Sequence, residues 1–236
     1  MCVVNWQAIS AMGTLLAVLV ALFGTAFRAK FFPPKLRLRL LSSEGELTTA
    51  VLQWMDNVGE IVGRQVPARY YHVCVSNARR WSPAEQVQVI LLGVEEPAAD
   101  GRMLPIWTGD VPLGWRHREL FPAARTIGPE ASVDICSVIK GKSLQLHPLI
   151  TPNNLDVVRK VATTFVITIQ ARGAEADSAP LRLKINWDGL WNDGTQEMRR
   201  HLTIAMDQTA LMLRAAGDDR RGRPAIWVST ATVWTR

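Results

Sequence analysis

Two kinds of apolar pattern divide this chain. The first is continuous: residues 6–27 (WQAISAMGTLLAVLVALFGTAF) run for 22 positions without a charged side chain. A helix of that length rises about 33 Å against a bilayer hydrocarbon core of about 30 Å, so the pattern predicts a transmembrane helix behind a short tail at 1–5. Phe31-Phe32-Pro33-Pro34 ends it, because paired prolines remove amide donors and force the preceding residue out of helical geometry. The second pattern is short alternation.

Residues 35–41 (KLRLRLL) alternate charged and apolar side chains, the period of a half-buried strand with Leu36, Leu38 and Leu40 turned to a core. Further strands are expected at 70–77, 86–94, 132–139, 144–149, 163–172 and 181–187. Each is rich in Val, Ile, Thr or aromatics and bounded by Gly, Pro, Asn or Asp. The last two read as an antiparallel hairpin around a small polar turn. Helices that could serve as crossovers are missing between most of these strands, which favours an all-β sandwich or barrel over a parallel α/β sheet. Leu47, Val51, Trp54, Val58 and Ile61 fall at helical spacing, with Gly59 and Gly63 counting against a helix. After the Asn192-Asp193-Gly194 turn, 198–204 is expected to add a strand and 205–215 a short helix. A charged connection (DDRRGRP, 218–224) and a β-prone IWVSTATVW close the chain. The expected organisation is a basic linker at 28–34, a β-sandwich at 35–204 and a C-terminal helix or tail at 205–236.

The net charge of +6 is unevenly placed. Arg28, Lys30, Lys35, Arg37 and Arg39 follow the apolar stretch with no acid among them, which leaves 22 basic and 21 acidic side chains in residues 40–236. Nucleic-acid binding needs Lys and Arg gathered on a recognition face, so no nucleic-acid partner is expected. Basic residues beside a span attract anionic headgroups and resist translocation. This places the N terminus outside and the domain on the cytoplasmic side of the cell membrane. Two other readings stand beside this one. Gly24-Thr25-Ala26 offers small residues to a signal peptidase, although the apolar core exceeds the about 7 to 15 residues of a secretory signal and no basic residue precedes it. A helix buried in a soluble protein would need cover on every side. Within the stretch, Gly13, Ala17 and Ala21 recur every fourth residue on one face. They would let two helices approach closely in a homo-oligomer, or they simply reflect the frequency of Gly and Ala in membrane helices.

The segment YYHVCVSNARRWSPAEQVQVILLGV, residues 70–94, resembles the immunoglobulin-like modules of bacterial adhesion-related proteins: an alternating strand ending in Val-x-Asn, a small turn, then Ala and a Val-rich strand. Val75, Asn77, Ala84, Val87 and Val89 carry the match. The resemblance implies an immunoglobulin-like antiparallel sandwich and says nothing of an activity.

Candidate chemistry is sparse. Cys2, Cys74 and Cys136 form no CxxC pair, and Cys74 with Cys136 would make a disulfide only in an exported domain. His72 and Cys74 share a strand face and offer two ligands of a zinc site, without a second pair at metal spacing. Asp188, Asn192, Asp193 and Glu197 gather oxygen donors that suit either a calcium site or plain turn chemistry. No catalytic residue, metal or cofactor is assigned. The expected function is a noncatalytic, membrane-anchored interaction or scaffold module with a protein partner and anionic lipid. The alternatives are a ligand-sensing effector that oligomerises through its helix and a membrane-bound hydrolase around Asp188, Asp193 and Glu197.

Overall fold

The computed structural model describes residues 6–55, 61–116, 123–159 and 161–207. Its elements in order are α1 (Trp6–Phe31), β1 (Leu36–Leu40), β2 (Glu46–Met55), β3 (Ile61–Asn77), β4 (Ala84–Pro97), β5 (Met103–Pro112) and β6 (Arg125–Ile127). They continue with β7 (Glu130–Ile139), β8 (Leu144–Leu146), β9 (Val158–Arg159), β10 (Thr163–Arg172), β11 (Leu181–Trp187), α2 (Thr195–His201) and β12 (Leu202–Met206). The strands form two six-stranded antiparallel sheets. The first runs β1-β3-β7-β8-β9 with β2 also on β3; the second runs β12-β11-β10-β4-β5 with β6 on β4.

Alternation builds the core. Tyr71, Val73 and Val75 of β3, Val133 and Ile135 of β7, Val87, Val89 and Leu91 of β4, Phe165, Ile167 and Ile169 of β10, and Leu183 and Ile185 of β11 are buried in one cluster. Every second residue of each strand points to one side, so these runs place their apolar face between the sheets. Each such side chain stabilises the fold by about 1.5–3 kcal/mol relative to exposure. The β10–β11 hairpin forms as expected, from Thr163↔Trp187 to Ile169↔Leu181. In β1, Leu36 is buried and Leu38 and Leu40 pack on the core, while Arg37 and Arg39, and Lys35 just before the strand, are exposed.

Several expected elements change. The helical spacing of Leu47 to Ile61 is overturned: β2 pairs with β3 from Glu46↔Tyr70 to Met55↔Ile61. The backbone hydrogen bonds offered by the long β3 edge win, and the supposed stripe has no core to enter, with Leu47, Val51 and Ile61 all exposed. Residues 198–204 are not one strand. α2 occupies the first part, with Met198 buried, Glu197 in its first turn and Arg199, Arg200 and His201 in its last, a charge order that complements the helix dipole. Ala205 and Met206, expected to begin a helix, belong to β12 instead. Residues 208–236, including DDRRGRP and IWVSTATVW, lie outside the described residues, as does Val58. β5 was not anticipated because Pro105, Gly109 and Pro112 disguise it, and its place at a sheet edge is where proline is tolerated.

α1 spans 26 residues, and its side chains at Met12, Leu15, Leu16, Val20 and Phe23 are exposed. Among the described residues no helix is long and apolar enough to cross a membrane. The side chains at positions 8, 9, 22, 25–27 and 29 of α1 lie outside the description. A membrane span over 6–27 therefore rests on the sequence.

Candidate functional site

Two places in the fold gather polar chemistry. The first is a cleft of about 420 Å³ on the outer face of the first sheet, lined by Glu46, Thr48, Tyr70, His72, Arg116, Asp134 and His147 among others. Because Tyr71, Val73 and Val75 enter the core, the alternating Tyr70, His72 and Cys74 must project from the opposite face. Across the ladder β7 supplies Asp134 opposite His72, at a register shift next to Tyr71. His72 Nδ1 lies 2.8 Å from Asp134 Oδ1, and a carboxylate can only accept, so Nδ1 carries the proton. Nε2 is buried without a hydrogen-bond partner among the described residues, and Glu46 Oε2 lies 3.7 Å away, too far for one. Glu46 is itself held by Arg116 at 2.5 Å. The Tyr70 ring is near-parallel to two imidazoles, that of His147 at 5.5 Å and that of His72 at 6.5 Å. His147 Nε2 meets Ser137 Oγ at 2.8 Å. The cleft thus offers flat aromatic walls, one unengaged acceptor and charges of both signs, which suits a small polar ligand.

The second place is the junction where α1 enters the sandwich. Asn77, which ends β3, is buried and donates from Nδ2 to Ser82 O (2.7 Å) while its Oδ1 accepts from the amides of Lys35 (3.1 Å) and Arg79 (3.0 Å). Ser82 Oγ donates to Phe32 O (2.9 Å) and Arg79 Nη1 to Pro33 O (2.8 Å). Arg28 Nη2 reaches Glu175 Oε1 at 2.8 Å and Glu85 Oε1 at 3.4 Å. The chain leaving the helix is therefore tied to the β3–β4 turn and to the β10–β11 loop.

This redistributes the five basic residues expected to flank a membrane. Arg28 is engaged with Glu175 and Glu85, and Arg39 pairs with Glu130 at 3.3 Å. Lys30, Lys35 and Arg37 are exposed. Gly13, Ala17 and Ala21 lie exposed on α1, and a Cβ at Gly13 would meet nothing within 4 Å.

The other candidates separate. Cys74 and Cys136 are free thiols on neighbouring strands, but Cys136 lies opposite Tyr71 and Cys74 opposite Ser132. Three residues of strand put about 10 Å between them, beyond the Cα separation of a disulfide. The conditional disulfide is therefore excluded by register. Cys74 Sγ approaches Glu130 Oε2 at 3.4 Å, away from the Asp134 that engages His72, so the two do not act as a ligand pair. Among the described residues no group of three or more His, Cys, Asp or Glu side chains is arranged to hold a metal ion. Asp188 bonds His201 Nδ1 (2.8 Å) and the Leu190 amide, Asp193 bonds Lys140 Nζ (2.7 Å) and Trp191 Nε1, and Asn192 Oδ1 accepts from the Gly194 amide. Asp188 and Asp193 thus serve separate structural bonds.

Only the separate strands of the cleft were legible in the sequence. Tyr70 and His72 stand on the polar face of an alternating strand, and Asp134 does so in SVDICSV, yet only the β3–β7 register brings them together. Trp81 is 63% exposed, whereas Trp107, Trp115 and Trp187 are buried. Compared with known proteins, the chain matches no family model and no curated protein.

Proposed function

We propose that this chain is a single-pass, membrane-anchored, noncatalytic interaction module, with an immunoglobulin-like β-sandwich held at the cytoplasmic face of the cell membrane. The observation that carries this reading is the exposed apolar surface of α1: Leu15, Leu16 and Val20 are each more than 60% exposed. An apolar helix that the protein itself does not cover matches lipid as its solvent, and a length of 26 residues gives about 39 Å of rise. The basic bias of Lys30, Lys35 and Arg37 supports contact with anionic headgroups and a cytoplasmic domain. Tethering confines the domain to two dimensions and raises its effective concentration for membrane-bound partners. The protein partner would engage an open edge of the second sheet, where Leu104 and Ile106 of β5 are exposed. Self-association through Gly13, Ala17 and Ala21 belongs to the same reading.

Alkaline carbonate washing of membranes, combined with protease access to a C-terminal tag in intact cells and inverted vesicles, tests it. Retention in the pellet and digestion only in inverted vesicles are expected. Release into the supernatant removes the anchor; digestion in intact cells reverses the topology. A second reading, a ligand-sensing effector, is favoured by the cleft around His72, and ligand-dependent oligomerisation would distinguish it.

A further inference from the structure

The β3–β4 turn, residues 78–83, ends beside the exit of α1 and carries an indole held out of the core. Trp81 is 63% exposed, and its ring meets Phe32 edge-on at 5.4 Å, with Phe32 45% and Phe31 56% exposed beside it. The turn is hydrogen-bonded rather than loose: Ser82 N donates to Arg79 O (2.9 Å), and Asn77 closes it through Ser82 O. Arg79 is turned inward onto Pro33 O, while Arg80 is exposed. An aromatic group with a polar tip, mounted rigidly next to exposed cationic side chains, fits the boundary between headgroups and acyl chains better than bulk water.

We infer that this turn is a second membrane contact of the domain, with Trp81 and Phe32 seated in the headgroup layer of an anionic bilayer and Arg80 against its phosphates. The inference rests on the anchor reading above, since α1 determines which bilayer the turn meets. The depth agrees. Phe32 lies five residues past the last residue of the uncharged stretch, about 7 Å at helical rise, and the headgroup layer is about 5–8 Å deep on each side. Of the nearby acids, Glu175 is 15% exposed and turned onto Arg28, and Glu85, 54% exposed, is paired with the same Arg28, while Lys30, Lys35 and Arg80 add exposed positive charge beside the turn. Two attachments, the helix and the turn, fix the tilt of the sandwich on the membrane where a helix alone would leave it free to swing.

The test uses the full-length chain in vesicles of equal parts phosphatidylcholine and phosphatidylglycerol. Cys74 and Cys136 are buried, so Cys2→Ser gives a background in which Trp81→Cys takes an environment-sensitive label alone. Lys142→Cys, beyond the end of β7 that lies farthest from the junction, serves as the distant reference. Brominated lipid is expected to remove most of the emission at position 81 and little at 142, and Arg80→Glu to weaken the quenching at 81. No quenching at 81, or equal quenching at both positions, in vesicles that retain the protein through alkaline carbonate overturns the contact and leaves the anchor standing. Release of the protein by carbonate overturns both.

Discussion

Arg28 and Glu175 stand 147 positions apart in the chain, yet Arg28 Nη2 lies 2.8 Å from Glu175 Oε1. The pair joins the last turns of α1 to the loop between β10 and β11, and it is largely shielded, with side chains 25% and 15% exposed. Glu175→Gln removes the opposite charge while keeping the shape. We expect faster limited trypsin cleavage at Arg28 and Lys30, with little change in the unfolding temperature of the sandwich. An unchanged cleavage rate would show that the ties through Glu85, Asn77, Arg79 and Ser82 hold the junction without Glu175.

Asn77→Ala attacks that second set of ties. It deletes one donated and two accepted hydrogen bonds of a side chain only 3% exposed. At about 1 kcal/mol net per bond, with buried amides left unpaired, the loss is about 2–4 kcal/mol. Urea unfolding measures it, and a shift below about 1 kcal/mol would mean that water replaces the amide.

Neither Cys74 nor Cys136 is expected to react with a maleimide in the folded protein at neutral pH. Burial raises the Cys136 thiol strongly, with the Asp134 carboxylate adding to it, and burial followed by the bond to Glu130 raises Cys74. The thiolate is the reactive form, so labelling should appear only on unfolding. Mass spectrometry after native labelling would find both thiols unmodified, and rapid native modification would contradict the packing of β3 on β7.

Acid stability depends on the 188–201 corner. Burial raises the Asp188 carboxyl, but the hydrogen bond from His201 and the Leu190 amide outweigh it and hold it below the usual carboxylate range; Lys140, then Trp191, lower Asp193. A depressed carboxylate stabilises the fold fully above its unfolded pKa, about 3.9 for Asp, and the contribution is lost as pH falls through the lower folded value. The double variant Asp188→Asn, Asp193→Asn should lower the unfolding temperature at neutral pH, where both carboxylates contribute, and flatten its fall below about pH 4, where the contribution is already lost. An unaltered acid limb would assign that fall to other groups.

In the cleft, Asp134→Ala strands the Nδ1 proton of a His72 only 6% exposed. The cost of an unpaired buried donor is about 1–3 kcal/mol. The His72 side-chain resonances should broaden or shift as the ring loses its fixed tautomer, and an unmoved spectrum would show that Asp134 does not orient it.

Much of the sandwich was visible as period-two runs because these strands have one wet face and one dry one. The β10–β11 hairpin, the inward leucines of β1 and the core valines of β3 and β4 all follow from that alternation. What escaped were segments whose identity depends on a neighbour. β2 is a strand because the edge of β3 is available, and β5 because an edge position excuses its prolines. The cleft escaped for the same reason: Tyr70, His72 and Asp134 are ordinary residues until the ladder between β3 and β7 is set. The basic cluster was legible as a cluster, while its division into paired Arg28 and Arg39 and exposed Lys30, Lys35 and Arg37 required partners far along the chain.

β3 has one further property. It is a single 17-residue strand whose last residue, Asn77, grips the helix exit and whose first, Ile61, lies in an exposed hairpin with Met55. At about 3.3 Å per residue it reaches roughly 50 Å along its path. On the anchored reading proposed above, the hairpin tip is the part of β3 farthest from the helix exit, so a partner docking there would be selected by its reach from the lipid as well as by its chemistry.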